Sequence, residues 1–474
     1  MSDETGYPLH LSAAHLFLIP LLVLTPIFLW KLDLPFIASS YGPDYVVLEL
    51  FALCVFLILM IFAWDRLRNP GERTLEHALP VLTFVALSLY FVVQVTEYSA
   101  KSADWSCYVD AARALIEGKS PYFNGCYIYP PILAVVLSWF YYVIEWGAIA
   151  LNVVPQPDLI WNGVFYLYQC AQFFSVVWAL VLSFRFLSLL RVEVKTAAIM
   201  IAVVFVFNVP LLRTFRHQQI NLWVLDLVLY AILALQRRPW LSGLATAIAA
   251  HLKLYPLVFL PWLVAMRKFR ALAWTTVAIC LIAVLQVFIG GEFWLWEELV
   301  LFVPTFPSGT AFRDNSLHSL IFNTAHGINW FIGLSRELVG AMITVLVWGA
   351  RAGVLLWFAL RFVRREKSYR VATAQAFSID ELETHRVIGN LLDSLASVLL
   401  ISPMVWEHHY VLAMPLIFQV IAIHGRKDPW RVGTAVFLIC CVPVFDLFPL
   451  SYHRLAGLIW LLWLSPPTIR SSHS

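Results

Sequence analysis

Charge is scarce in this sequence. Asp, Glu, Lys and Arg make up 13% of its 474 residues, about half the quarter or so that soluble globular chains carry. Apolar side chains take 61%, and the mean hydropathy is +0.79. So little charge cannot cover a water-soluble protein of this size, which excludes a secreted disulfide scaffold, a cytosolic Rossmann enzyme and a disordered chain. A net charge of +3 with no long basic run leaves nothing to track a phosphate backbone, so nucleic acid is excluded as a partner. The seven cysteines form no CxxC or zinc-like spacing, and adjacent Cys440 and Cys441 read as buried thiols in an apolar run. No internal repeat stands out. The opening MSDETGYPLH is acidic, and no small-residue cleavage site follows Leu16–Trp30, so the first apolar run reads as a retained helix rather than a signal peptide.

What the chain does have is apolar runs, about fourteen of them, from 12–31 and 44–64 through to 453–467. They lack the period-two alternation of barrel strands, so the expected fold is an all-α polytopic membrane bundle of about fourteen transmembrane helices. Lys and Arg gather at Arg66/Arg68/Arg73, Arg191/Lys195, Arg237/Arg238, Arg267/Lys268/Arg270, Arg364/Arg365/Lys367/Arg370 and Arg426/Lys427/Arg431. Positive charge marks cytoplasmic loops. These clusters share one side only if the run at 130–150, led in by Tyr129-Pro130-Pro131, lies along the outer interface as an amphipathic juxtamembrane helix. Both termini are then cytoplasmic, in a plasma or inner membrane, with long outer loops at 99–159 and 291–336. Three parts follow: an added N-terminal two-helix hairpin at 1–78, a catalytic module at 79–336, and a C-terminal helical module at 337–474.

Most remaining polar residues then converge on the outer face. Asp104 follows a spanning run and either caps a helix start or acts as a general base. If the segment is helical, Tyr108 shares its face, and an Asp110–Arg113 pair at i,i+3 leaves Asp104 available. Glu407-His408-His409 follows Pro403. Adjacent imidazoles point about 100° apart on a helix, a poor joint metal site but a fair pair of donors to an anion. Arg213, Arg216, His217, Gln219 and Asn221 fill one outer turn, and His251-Leu252-Lys253-Leu254-Tyr255-Pro256 another. A lone Lys between short helices could simply snorkel to water. Two cationic turns near a candidate base suggest a phosphate clamp instead. Phe312-Arg313-Asp314-Asn315-Ser316 in the second outer loop is weak alone.

Asp226, Arg351 and Asp393 sit mid-run. A charge at mid-bilayer costs about 2.5–3.5 kcal/mol, so each should find a partner; pairing of Arg351 with Asp226 or Asp393 is the expectation.

Asp104-Trp105 to Pro121-Tyr122, Tyr129-Pro130-Pro131, Gln219-Ile220-Asn221, Leu252-Lys253-Leu254-Tyr255-Pro256, and Ser402-Pro403 with Trp406 to Tyr410 occur in this order. Together they resemble the GT-C superfamily of membrane glycosyltransferases, nearest to glycosyltransferase family 87, over roughly residues 79–424. The resemblance implies a GT-C-like bundle with a catalytic aspartate on an outer amphipathic segment, which maps onto Asp104. It also implies a polyprenyl-phosphate sugar that enters sideways from the bilayer. The sugar, mannose by family default, is transferred with inversion to a glycolipid or glycan acceptor on the non-cytoplasmic face. On this analogy Lys253, His408, His409, Arg213 and Arg216 hold the donor phosphate. Tyr108, Tyr129, His217, Gln219, Asn221, Asn315 and Glu407 shape the pocket. The chain departs from the family at Gln218, where glycine is frequent, and in its extra N-terminal hairpin.

A phosphate monoester is already a good leaving group, and no DxD-like acidic pair lies at the outer face, so no obligatory metal or other cofactor is expected. A lipid or polar-solute transporter using Asp226, Arg351 and Asp393 is the competing reading, although no repeated halves or matched broken helices are visible. Cys107 and Cys126 both fall in the outer segment, where an oxidising compartment permits a disulfide; two free thiols are the alternative.

Overall fold

The structure is a computed structural model that describes residues 73–97, 100–290, 294–302, 314–374, 379–425, 427–444 and 447–465. The chain divides into two compact units. The first, residues 1–75 with 443–447, falls almost wholly outside the described residues, and the expected hairpin at 1–78 goes with it. The second, Glu76–Val442 with Phe448–Ser474, holds all that follows.

Helix dominates the described residues, and the isolated bridge between Asp314 and Trp406 is the extended pairing found there. The long apolar runs become long helices. Ile132–Ala150, Pro157–Leu189, Phe269–Ile289 and Arg336–Thr373 each have the length and composition to cross a membrane. Val194–Val206 with Val209–Arg216, bent by 53° at Asn208, makes a fifth or a re-entrant loop. Ile132–Ala150, expected along the outer interface, is thus itself long and apolar enough to span, and Trp139, Tyr142 and Trp146 are exposed on it. Other runs give shorter helices. At about 1.5 Å per residue, the 14 residues of Asn221–Ala234 fall short of a hydrocarbon core about 30 Å thick.

Helices Asn221–Ala234 and Pro239–Leu252 pack closely, the latter against Phe269–Gly290. Gly243 permits that approach, since a Cβ there would meet the Thr275 backbone nitrogen at 2.7 Å. Short helices ending inside the unit are what bring polar turns together.

The mid-run charges find partners other than those expected. Asp393 is held by Arg361, Nε to Oδ2 at 3.0 Å and Nη2 to Oδ1 at 2.9 Å, and by Arg365 at 2.9 Å. Arg361 and Arg365 reach it because they lie further along the helix that carries Arg351, Arg336–Thr373, where it packs on Ile379–Ile401. Asp226 accepts from Ser175 Oγ at 2.6 Å. Arg351 pairs with neither; its guanidinium lies 5.2 Å over the Trp348 ring.

Candidate active site

Helix Ala103–Ile116 starts at Ser102, whose Oγ accepts the Trp105 N–H at 3.1 Å. Ser102 therefore does the capping, and Asp104, two positions on, keeps its carboxylate for the site. The positive end of the helix dipole favours a carboxylate there. Asp104 Oδ2 accepts from Gln219 Nε2 at 2.7 Å and lies 3.9 Å from His217 Nδ1. Gln219 Oε1 in turn accepts from Tyr129 at 2.8 Å and from Tyr108 at 3.4 Å. One amide thus ties the candidate base to both tyrosines. Trp105, Tyr108, Tyr127, Tyr129 and Tyr168 stack as a buried aromatic floor under it. The expected Asp110–Arg113 pair does not form, because Arg113 lies over the Trp161 ring at 5.3 Å.

The turn that supplies Gln219 depends on Gln218, in the left-handed region at φ +54. That conformation costs an L-residue about 1–2 kcal/mol and suits glycine. Here the Gln218 side chain accepts the Ser102 N–H at 2.9 Å and donates to the Ala100 carbonyl at 3.0 Å. The residue that departs from the family pattern thereby locks the start of the Asp104 helix to the neighbouring turn.

Lys253 follows the last turn of Pro239–Leu252 in extended conformation, buried. Its Nζ donates to Asn221 Oδ1 at 2.6 Å, sits 3.1 Å from His409 Nε2, and lies 5.0 Å over the Tyr129 ring. His409 Nδ1 accepts the Trp406 N–H at 3.1 Å, which puts the imidazole proton on Nε2, facing Lys253. That proton needs a lone pair, which only the neutral amine offers. Burial accordingly drives the Lys253 ammonium down to about 7, against the pull of Asp104. Burial also holds both histidines well below the ordinary imidazole range, reinforced at His408 by His409 and then Lys253 and at His409 by Lys253. His408 lies between the two halves of the site, its ring 6.0 Å from His217 and 4.6 Å from His409. Among the described residues its buried Nδ1 has no hydrogen-bond partner.

The other expected residues take supporting places. Arg213 is buried and gives Nε and Nη2 to Glu407 Oε1 at 2.7 and 2.5 Å. Burial raises the Glu407 carboxyl, but Arg213 and Arg454 outweigh it and hold it below its usual range. The pair braces the 3₁₀ turn Glu407–Ala413 that carries both histidines. Glu407→Gln should cost about 3–5 kcal/mol, the penalty for stripping a buried cation of its partner. Thermal unfolding checks this, and an Arg213→Glu/Glu407→Arg exchange should recover part of the loss. Arg216, partly exposed, ends helix Val209–Arg216 beside His217. Asn315 acts through its backbone, N–H to the Val405 carbonyl at 2.8 Å and carbonyl to the Tyr410 hydroxyl at 3.0 Å. Its neighbour Asp314 accepts the Val405 and Ser316 N–H groups at 2.8 and 3.0 Å, with burial raising its carboxyl to about 6. Sequence reasoning undervalued Asp314, Gln218 and Ser102, because a side chain that orders backbone leaves no motif.

Beside Tyr255, whose hydroxyl is 3.5 Å from His409 Nδ1, runs an open groove of about 850 Å³. Val258, Val347, Leu355 and Ile401 contribute to its apolar walls, with Tyr255, His318, Ser402 and Arg351 among its polar lining.

Cys107, one turn on from Asp104, is bonded to Cys126 in the loop that leads to Tyr129. Non-reducing peptide mapping should recover the linked pair. Reduction should lower unfolding stability by about 3 kcal/mol, the scale for a short closed loop; an unchanged midpoint would show that the bond contributes nothing.

Three similarities bear on this geometry. The family model described as glycosyltransferase family 87 matches residues 127–379, which takes in the Gln219 and Lys253 turns and leaves Asp104 and His408 outside. The sequence is 24% identical over 425 residues, 85% of the chain and 83% of the relative, to a polyprenol-phosphate-mannose-dependent alpha-(1-2)-phosphatidylinositol pentamannoside mannosyltransferase of Mycobacterium tuberculosis (strain CDC 1551 / Oshkosh). It is 25% identical over 289 residues, 57% of the chain and 67% of the relative, to GPI mannosyltransferase 1 of Eremothecium gossypii.

Proposed function

The chain belongs to glycosyltransferase family 87, and from that premise we propose an inverting transferase that moves mannose from a polyprenyl-phosphate donor to a glycolipid. The observation that carries this reading is a continuous line of contacts. It runs from Asp104 through Gln219 and Tyr129 to Lys253 and His409, with a carboxylate at one end and a switchable cation at the other. The acceptor hydroxyl approaches Asp104, which takes its proton as the oxygen bonds to C1 of the sugar. The C1–O bond to the lipid phosphate breaks on the opposite face, and its electron pair stays on the phosphate. Lys253, protonated as the phosphate arrives, and His408 stabilise the growing charge. Arg213 and Glu407 hold the histidine turn in place.

The names of the two relatives, both mannosyltransferases and one of them acting on a phosphatidylinositol pentamannoside, support mannose and a glycolipid acceptor. A disulfide beside Asp104 favours an oxidising, non-cytoplasmic face, with both termini cytoplasmic and about fourteen spans. Because the leaving group is a phosphate monoester met by protein cations, no metal is required, and chelator should leave turnover unchanged. The test uses the full chain in lipid nanodiscs with short-chain polyprenyl-phosphate mannose, nucleotide-linked mannose and a panel of glycolipids. Transfer from the lipid phosphate and none from the nucleotide is expected; the reverse overturns the reading.

A further inference from the structure

Helix Arg336–Thr373 carries no charge from Leu338 to Leu360 except for Arg351. An arginine in such a stretch is expensive and is retained where it meets a counter-charge or a charged ligand. Neither mid-run aspartate meets Arg351: Asp393 pairs with Arg361 and Arg365, and Asp226 accepts from Ser175. Among the described residues Arg351 has no ion pair. It stacks on Trp348 and lines the apolar groove together with Tyr255, His318 and Ser402. Through Tyr255 that groove adjoins His409 and Lys253, where the proposed reaction leaves its phosphate.

We infer that Arg351 is a binding station for the phosphate of the departing lipid, a polyprenyl phosphate monoester. This rests on the transfer reaction proposed above. The donor is a phosphodiester with one negative charge. Transfer breaks its bond to the sugar and leaves a monoester that carries close to two charges above its second pKa of about 6. The product must therefore leave through an apolar groove bearing more charge than the donor brought in. A fixed cation in the groove binds the dianion more strongly than the monoanion, since Coulomb attraction scales with charge. Stacking on Trp348 keeps the guanidinium in place, and its planar donors match phosphate oxygens. The apolar walls take the isoprenoid chain. Arg351 thus acts on product occupancy, whereas Lys253 acts on the bond-breaking step.

The test compares wild type, Arg351→Gln and Arg351→Lys as full-length protein in nanodiscs. It measures inhibition of transfer by short-chain polyprenyl phosphate, polyprenol and inorganic phosphate, and direct binding of polyprenyl phosphate by tryptophan fluorescence. Arg351→Gln should weaken inhibition by polyprenyl phosphate about ten- to a hundredfold, the worth of a charged hydrogen bond. The donor KM should rise by a smaller factor, and weak inhibition by polyprenol should not change. Arg351→Lys, which keeps the charge but not the planar stacked donors, should restore only part of the lost affinity. An unchanged inhibition constant in Arg351→Gln overturns the inference. So does an equal loss for polyprenol, which would make the residue a packing element, or a rise confined to the acceptor KM. Comparable inhibition by inorganic phosphate would point to a site blind to the lipid and would also overturn it. Wild type that neither transfers from nor binds the lipid phosphates would instead refute the parent reading.

Discussion

Replacing Asp104 by Asn should reduce transfer about 10²–10⁴-fold, the usual contribution of a general base, while donor binding and folding stay as in wild type. The substitution isolates the proton-accepting step. The asparagine carbonyl still accepts from Gln219 Nε2, the contact Asp104 makes at 2.7 Å, so the turn and the aromatic floor keep their partners. Ser102, not Asp104, caps the helix, so no capping energy is lost. Initial rates and donor-binding isotherms of the two proteins in nanodiscs decide the matter. Wild-type turnover in the variant would remove Asp104 from the mechanism.

Lys253 should produce the second large effect. Lys253→Met should lower kcat about 10²–10³-fold, the scale for removing one preorganised charge-stabilising donor. Its titration gives a sharper signature. The buried amine holds its proton only below about pH 7, against an ordinary lysine value of 10.5. The facing groups are Asp104, which favours the proton, and His409, Tyr129, Tyr255 and Asn221. Of these, His409 stays neutral throughout the window and Tyr255 is pushed up to about 12. Free enzyme therefore loses the cation proposed to bind the donor phosphate as pH rises through 7. Donor kcat/KM, which reports the free enzyme, should fall about tenfold per pH unit above it. Lys253→Arg should abolish that fall, because a guanidinium stays charged. Stability runs the other way. Between about pH 7 and 10.5 the unfolded chain binds a proton that the folded chain does not, so this residue's contribution to stability rises with pH. Opposite slopes for activity and stability in one protein identify a buried amine. A flat activity profile would mean that Lys253 does not bind the donor.

Composition and hydropathy alone decided that this is a helical membrane protein, because apolar runs with so little charge have no other stable solution. The family was equally legible, since its motifs are short, local and in order. Asp104, Lys253, Gln219 and the two histidines could be named because each departs from the apolar background beside a helix end. What the residues do to one another was not legible. No local pattern links Asp104 to Gln219 across 115 positions, or Lys253 to His409 across 156. Nor could spacing reveal that Arg213 braces Glu407, that Asp393 takes Arg361 and Arg365, or that Gln218 occupies a left-handed turn. Those assignments depend on which helices pack and end beside which, and burial then favours the pairs, since leaving one partner of a buried ion pair alone is costly. Tertiary packing also left Arg351 lining an apolar groove with no ion pair among the described residues, the placement on which the inferred phosphate station rests.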